Sequence, residues 1–285
     1  MNDLIINFCP TGMIPTKDMT PYVPITPEEI ARDVKRAMDI GITMVHLHAR
    51  YDIGAPCWSK EFYSRIIEKV REFGPELVIC VSTSGRHGAM LAERLDVLRL
   101  DGDVKPDVAS LTLSSLNFNK ESSVNPPKTI RVLAKTMRDS GIKPELEVFD
   151  TGMVNYAKYL ADKGIIEAPY YFNLILGNSA CAQATPLHLG VMVNDLPPYS
   201  FWSVGGVGDY QLTANAMAIA AGGGVRVGLE DNIWWDSERD RLATNENLLV
   251  RIHNLADIHL REVMTPAQLR KGLELKPGNG EYGVA

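Results

Sequence analysis

Residues 26–48 read TPEEIARDVKRAMDIGITMVHLH and hold one helix signal followed by one strand signal. Thr26-Pro27-Glu28-Glu29 is a capping box with proline at the first helical position, and the run 30–40 that follows is amphipathic at helical spacing. Residues 43–48 then alternate in the two-residue period of a strand, with Val45 and Leu47 on one side and His46 and His48 on the other. The same unit recurs in both directions. Short runs rich in Val, Ile and aromatics predict strands at 4–7, 43–48, 77–82, 108–113, 146–150, 171–176, 201–204 and 225–229. Between them lie helix signals. Ser59 caps 60–73, Pro126-Pro127 precedes 129–140 with Gly141 as the stop, and 153–163 ends at Gly164. Thr185-Pro186 opens a further helix, 210–221 and 245–261 follow, and a short helix at 266–273 starts from Thr265. Eight strands alternating with helices predict an α/β fold, a single parallel (β/α)8 TIM barrel over residues 1–285 with a short C-terminal tail from about 275. A doubly wound open sheet is the alternative, but no GxGxxG opens the first helix. The longest loops, 52–59 and 117–127, each follow a strand and so rise from the face where barrel chemistry sits.

Composition narrows the function classes. Of 285 residues, 45% are hydrophobic and 22% charged, as in ordinary globular proteins. The net charge of −6 disfavours non-specific nucleic-acid binding. No apolar run approaches the length of a membrane span, and the run 4–9 is too short for a signal peptide. The four cysteines, Cys9, Cys57, Cys80 and Cys181, show no CxxC spacing, and three sit in or beside apolar runs as buried thiols. The chain is expected in the cytoplasm, reduced, with no membrane or nucleic-acid partner.

Chemistry concentrates at strand ends. His46 and His48 project together, and with Val45 and Leu47 suited to the helix side they face into the barrel. They are either metal ligands or hydrogen-bonded core histidines. On the eighth strand Val225, Val227 and Leu229 form the apolar face, which leaves Arg226, Gly228 and Glu230 facing in and Asp231 at the tip. Inward charges must be paired or bind a metal. Glu230 can complete a His2Glu set, or Arg226 can form a structural ion pair with Glu230 or Asp231. Ser82 and Thr83 end the third strand and can orient a carboxylate or phosphate. Strand five carries Glu145 and Glu147 on one face, and Glu147 is a candidate proton donor or orienting group. Gly205-Gly206-Val207-Gly208 precedes a helix and can contact phosphate or pantetheine. Trp234-Trp235 reads as a lid or interface anchor, and His87, His188, His253 and His259 as structural or surface residues. An amidohydrolase-type barrel needs HxH on its first strand and histidines after strands five and six; here Asp150-Thr151 and Gly177-Asn178 stand there.

Taken together, 24–29 (PITPEE), His46-Leu47-His48 with Arg50, Ser82-Thr83, 144–152 (PELEVFDTG) and 226–232 (RVGLEDN) resemble the beta-keto acid cleavage enzymes. The founding activity of that family is 3-keto-5-aminohexanoate cleavage. The resemblance runs from about residue 3 to 275 with the motifs in order. It implies a (β/α)8 barrel, one divalent metal, usually zinc, a homotetramer, and exchange of acyl groups between a beta-keto acid and acetyl-CoA. On this resemblance His46, His48 and Glu230 hold the metal, and Asp231 removes the proton between the two carbonyls. Arg226 and Ser82 hold Asp231 or bind substrate oxygens, Ser110 takes the place of a family threonine, and Glu147 matches a glutamate of the pocket. Two positions depart from the pattern. Met13-Ile14 replaces an acidic residue of amine-handling members, which favours a neutral or apolar keto acid. Asp209 stands where an arginine is common, which keeps open a retro-aldol or Claisen lyase that uses no CoA. A non-catalytic metal-binding barrel is the third reading.

Overall fold

The computed structural model describes residues 3–276, and most of the tail expected from about 275 lies outside them. Eight parallel strands close a barrel in sequence order: β1 (Ile6–Phe8), β2 (Met44–Leu47), β3 (Val78–Val81), β4 (Val108–Thr112), β5 (Lys143–Val148), β6 (Tyr170–Leu176), β7 (Ser200–Gly206) and β8 (Gly224–Val227), with β8 pairing back onto β1. The helices are α1 (Pro27–Ile40), α2 (Lys60–Phe73), α3 (Leu91–Arg94), α4 (Pro127–Asp139), α5 (Thr151–Asp162), α6 (Pro186–Asn194), α7 (Tyr210–Ala220), α8 (Asn245–Ile258) and α9 (Pro266–Leu273).

Local chemistry sets the element ends. Thr26 and Glu29 form the capping box of α1, and Ser59 caps α2 through the Glu61 N–H. The strand expected at 146–150 starts earlier and stops at Val148, because Asp150 turns to accept the Met153 N–H at 3.1 Å and caps α5. The strand expected at 225–229 stops at Val227, where Gly228 takes φ +152°. Between β3 and β4 stands only the four-residue α3 with two 3-10 turns. Each long loop carries a hairpin, Ala49–Arg50 with Pro56–Cys57 and Leu116–Asn117 with Ser122–Ser123.

Strand alternation splits the core in two. Ile6, Phe8, Val45, Leu47, Ile79, Val81, Leu146 and Val148 face the helices in one large cluster. Ile5, Met44, Val78, Cys80, Val108 and Tyr171 form a second cluster, joined by Leu269 and Leu273 of α9. Most of these residues lie near the strand starts, so α9 closes the N-terminal end of the barrel. Apolar residues fill that end and leave the polar inward positions to the other.

An ion cluster fastens the closure. Arg270 donates from Nη1 and Nη2 to the two carboxylate oxygens of buried Asp107 at 2.9 and 2.8 Å, and Arg71 donates to the same carboxylate at 2.8 Å. Removing one member of a buried charge cluster leaves a carboxylate short of donors. Arg270→Ala should cost roughly 3 kcal/mol and lower the melting temperature by several degrees, followed by circular dichroism. The cluster sits at the far end from the histidines, so turnover at 25 °C should stay near wild type.

Candidate active site

The polar end of the barrel is built by β2, β5, β8 and the loops after β1, β3 and β4. The β2 alternation turns His46 and His48 inward, and their Nε2 atoms lie 3.3 Å apart. Glu230 reaches the same point from beyond β8, with Oε1 3.1 Å from His48 Nε2. Close backbone approach makes this possible. A Cβ at Gly228 would lie 2.1 Å from the Cys9 carbonyl oxygen, and one at Gly12 (φ +65°) would lie 2.5 Å from Glu230 Cγ. One ligand atom each from His46, His48 and Glu230 falls within 4.8 Å of the others. Oε2 of Glu230 is buried and, among the described residues, has no hydrogen-bond partner. Two imidazole nitrogens and a carboxylate oxygen, with a position left open, suit a zinc-type divalent ion, so the donor set fits a metal.

Arg226 organises the acids around this point. It is 3% exposed. Its Nε donates to Asp231 Oδ2 at 2.8 Å and its Nη2 to Asp231 Oδ1 at 3.2 Å and Glu230 Oε1 at 2.5 Å. Both ion pairs foreseen as alternatives therefore form together. Nη1 is buried and has no partner among the described residues, which leaves a cationic donor for a ligand oxygen. Burial works against ionised Glu230, but Arg226 and then His48 outweigh it and hold this carboxyl well below the usual range. At Asp231 burial prevails over Arg226 and raises the carboxyl. Burial and the charge of Glu145 also raise Glu147, whose Oε2 accepts the Thr112 hydroxyl at 2.6 Å. Burial disfavours a charged His46, yet Glu145 and Glu230 push it up to about 8.

These groups floor a cavity of about 560 Å³. His48, Ser82, Glu147, Arg226, Glu230 and Asp231 supply its polar base. Met13, Ile14, Leu116, Phe118, Phe149, Ile175 and Val207 supply apolar wall, and Arg86, His87, Lys120 and Glu121 stand in its lining as well. Arg86 pairs with Glu121 at 2.7 Å and lies over the Phe118 ring at 4.1 Å.

A family model described as beta-keto acid cleavage enzyme matches residues 3–275. The chain belongs to the beta-keto acid cleavage enzyme family. It is 40% identical over 278 residues to the 3-keto-5-aminohexanoate cleavage enzyme of Fusobacterium nucleatum, covering 97% of this chain and 99% of that one. It is 34% identical to the 3-oxoadipate:acetyl-CoA acetyltransferase of Cupriavidus necator, covering 95% and 94%. Among solved structures, apo ObcA superposes with a TM-score of 0.79 at 24% identity, covering 90% of this chain and 66% of that one, which shows a shared fold.

Within this family member the expected site residues divide. His48, Glu230, Asp231, Arg226, Ser82, Glu147 and Ile14 line the cavity, and His46, buried outside the lining, joins them through its cluster with His48 and Glu230. Thr83 and Ser110 instead bond to each other. The Thr83 N–H donates to Ser110 Oγ at 3.0 Å and the Thr83 hydroxyl to the Ser110 carbonyl at 2.5 Å, and neither lines the cavity. Asp209 also stands outside the lining and pairs with Arg239 at 3.0 Å. His87, expected as a structural or surface residue, lines the cavity and approaches Glu121 at 3.2 Å. Glu145 was visible in the sequence as the inward neighbour of Glu147, but its contact to His46 was not. Among the described residues no helix is long and apolar enough to cross a membrane. All four cysteines are free, and Cys181 is only partly buried.

Proposed function

We propose that this chain exchanges acyl groups between a beta-keto acid and acetyl-CoA, giving acetoacetate and a new acyl-CoA. The observation that carries this reading is one buried guanidinium shared by Asp231 and Glu230, with Glu230 also in the His46/His48 donor set. Base and electrophile site are thereby adjacent, as carbon acid chemistry requires. The 3-oxoadipate:acetyl-CoA acetyltransferase relative supports the acyl partner.

His46, His48 and Glu230 would hold one divalent ion, which we assign as zinc. Bound there it would supply Lewis-acid polarisation of the keto acid oxygens. Arg226 Nη1, which has no partner among the described residues, binds a substrate oxygen, and Ser82 offers a second polar contact from the cavity floor. Asp231, held by Arg226 Nε and Nη2, takes the proton from the carbon between carboxylate and ketone. That carbon attacks the acetyl thioester carbonyl and CoA leaves as thiolate. The thiolate then attacks the original keto carbonyl, the carbon–carbon bond breaks, and Asp231 returns its proton to the acetoacetate carbon. Glu147, raised by burial and held by Thr112, stands ready as a proton donor or orienting group in the same cavity. Thr83 and Ser110 keep the β3 tip in place. We further assign a homotetramer working in the cytoplasm. A panel of beta-keto acids incubated with acetyl-CoA and read by mass spectrometry tests the whole reading; no new acyl-CoA from any of them would refute it.

Three variants dissect it. His46→Ala combined with His48→Ala should remove about one zinc per chain by elemental analysis, since two of three ligands are lost. Asp231→Asn should keep the fold and the metal but lose several orders of magnitude in turnover; near-normal turnover would move the base elsewhere. Ile14, 40% exposed and on the cavity wall, offers neither charge nor hydrogen bond to a substrate ammonium. Desolvating that ammonium without a partner should cost a few kcal/mol, on the order of 100-fold in kcat/KM. Neutral aliphatic keto acids should therefore outcompete amino-substituted ones of equal length, and Ile14→Glu should narrow or reverse the ratio. A wild-type preference for the amino substrate would show that another acid reads the charge.

A further inference from the structure

Behind His46 lies a buried polar layer that the proposed reaction steps do not use. Glu145 is 0% exposed and sits on β5, one inward position below Glu147. Its Oε2 accepts from His46 Nδ1 at 2.7 Å and from the Cys80 thiol at 3.3 Å. Its Oε1 accepts from Asn7 Nδ2 at 2.7 Å and Asn173 Nδ2 at 3.2 Å. Asn7 Nδ2 also donates to Tyr171 Oη at 3.1 Å, and the Tyr171 hydroxyl donates to Ser203 at 3.0 Å. Four donors from four different strands or their ends thus converge on one carboxylate.

We infer that Glu145 is a positioning residue that keeps the His46 proton on Nδ1 and aims the Nε2 lone pair at the divalent ion, an inference that rests on His46 being a metal ligand. The donor geometry permits little else. A carboxylate that accepts from Asn7 and Asn173 on one oxygen cannot rotate away from His46 without stranding those amides in the core. In the neutral ring that binds a metal, an Nδ1–H held by a carboxylate leaves Nε2 as the lone-pair nitrogen, and Nε2 faces His48 Nε2 at 3.3 Å. A carboxylate behind a ligating imidazole also raises its basicity, and losing such a partner typically costs 10–100-fold in metal affinity.

His46, Cys80 and Glu145 also bring three ligand atoms within 4.8 Å of one another. That set does not compete as a site of its own. The Nδ1 facing Glu145 is engaged at hydrogen-bond distance, and neither Cys80 nor Glu145 lines the cavity.

The test is chelator competition of zinc and cobalt(II) on the full chain, for wild type, Glu145→Gln and Tyr171→Phe. Glu145→Gln should bind roughly 10–100-fold more weakly and change the cobalt absorption spectrum. Tyr171→Phe cuts the same network two bonds from His46, so it should lower thermal stability and keep the wild-type affinity. Equal affinity in Glu145→Gln, or an equal loss in both variants, overturns the inference. Nitrogen-15 spectra of histidine-labelled, zinc-loaded wild type give an answer that needs no variant: His46 should carry its proton on Nδ1, and metal on Nδ1 would overturn the assignment. A second ion per chain that disappears in Cys80→Ala would also overturn it. Wild type that takes up no divalent ion would instead remove the metal reading itself, and this inference with it.

Discussion

A guanidinium almost wholly removed from water cannot stand unpaired, and Arg226 is the constraint around which the polar end of this barrel is arranged. It answers its own desolvation by drawing two carboxylates onto it, Asp231 on two donors and Glu230 on one. Glu230 is thereby fixed where it also meets His48. The acids are compensated at one edge and left open at the other, since Glu230 Oε2 and Arg226 Nη1 have no partners among the described residues. A buried cluster that leaves an acceptor and a donor without partners, on two side chains that line one cavity, is arranged for a ligand rather than for stability.

The barrel makes such a cluster tolerable by separating its two ends. Near the strand starts, Ile5, Met44, Val78, Val108 and the α9 leucines exclude water and supply the apolar burial. Above them Asn7, Asn173 and Tyr171 bond to Glu145 or to one another, so that this buried carboxylate is met by donors on both of its oxygens. This ordering puts the least forgiving interactions on strands, whose positions are the most rigid in the fold, and leaves the cavity walls to loops.

Those loops give the cavity its uneven chemistry. Met13 and Ile14 after β1, Leu116 and Phe118 after β4, and Phe149 after β5 line it with hydrocarbon, while Arg86 lies over the Phe118 ring and is tied to Glu121. An acyl chain can bury against the first set without losing hydrogen bonds. The polar reacting end of the same molecule then faces Arg226 and Glu230.

The sequence by itself determined the eight strands, the cap-and-proline helix starts, and which face each strand residue takes. These follow from two-residue and 3.6-residue periods and from capping chemistry, all of which act over a few neighbouring residues. His46 with His48 could therefore be read as an inward pair before any contact was known, whereas Glu230, expected on the same strand face as Arg226, reaches the site from a turn beyond β8 that the strand period does not place. Height within the barrel and choice of partner were decided only by the tertiary structure. Glu145 and Glu147 share a face in the sequence, yet the register that sets Glu145 opposite Ser110 and Glu147 opposite Thr112 sends one behind His46 and the other into the cavity. Thr83 found Ser110, 27 residues away, and Asp209 found Arg239, 30 residues away. Strand register and loop closure bring such pairs together, and neither leaves a mark in the local pattern, because the contacts that select them are made by residues far apart in the chain.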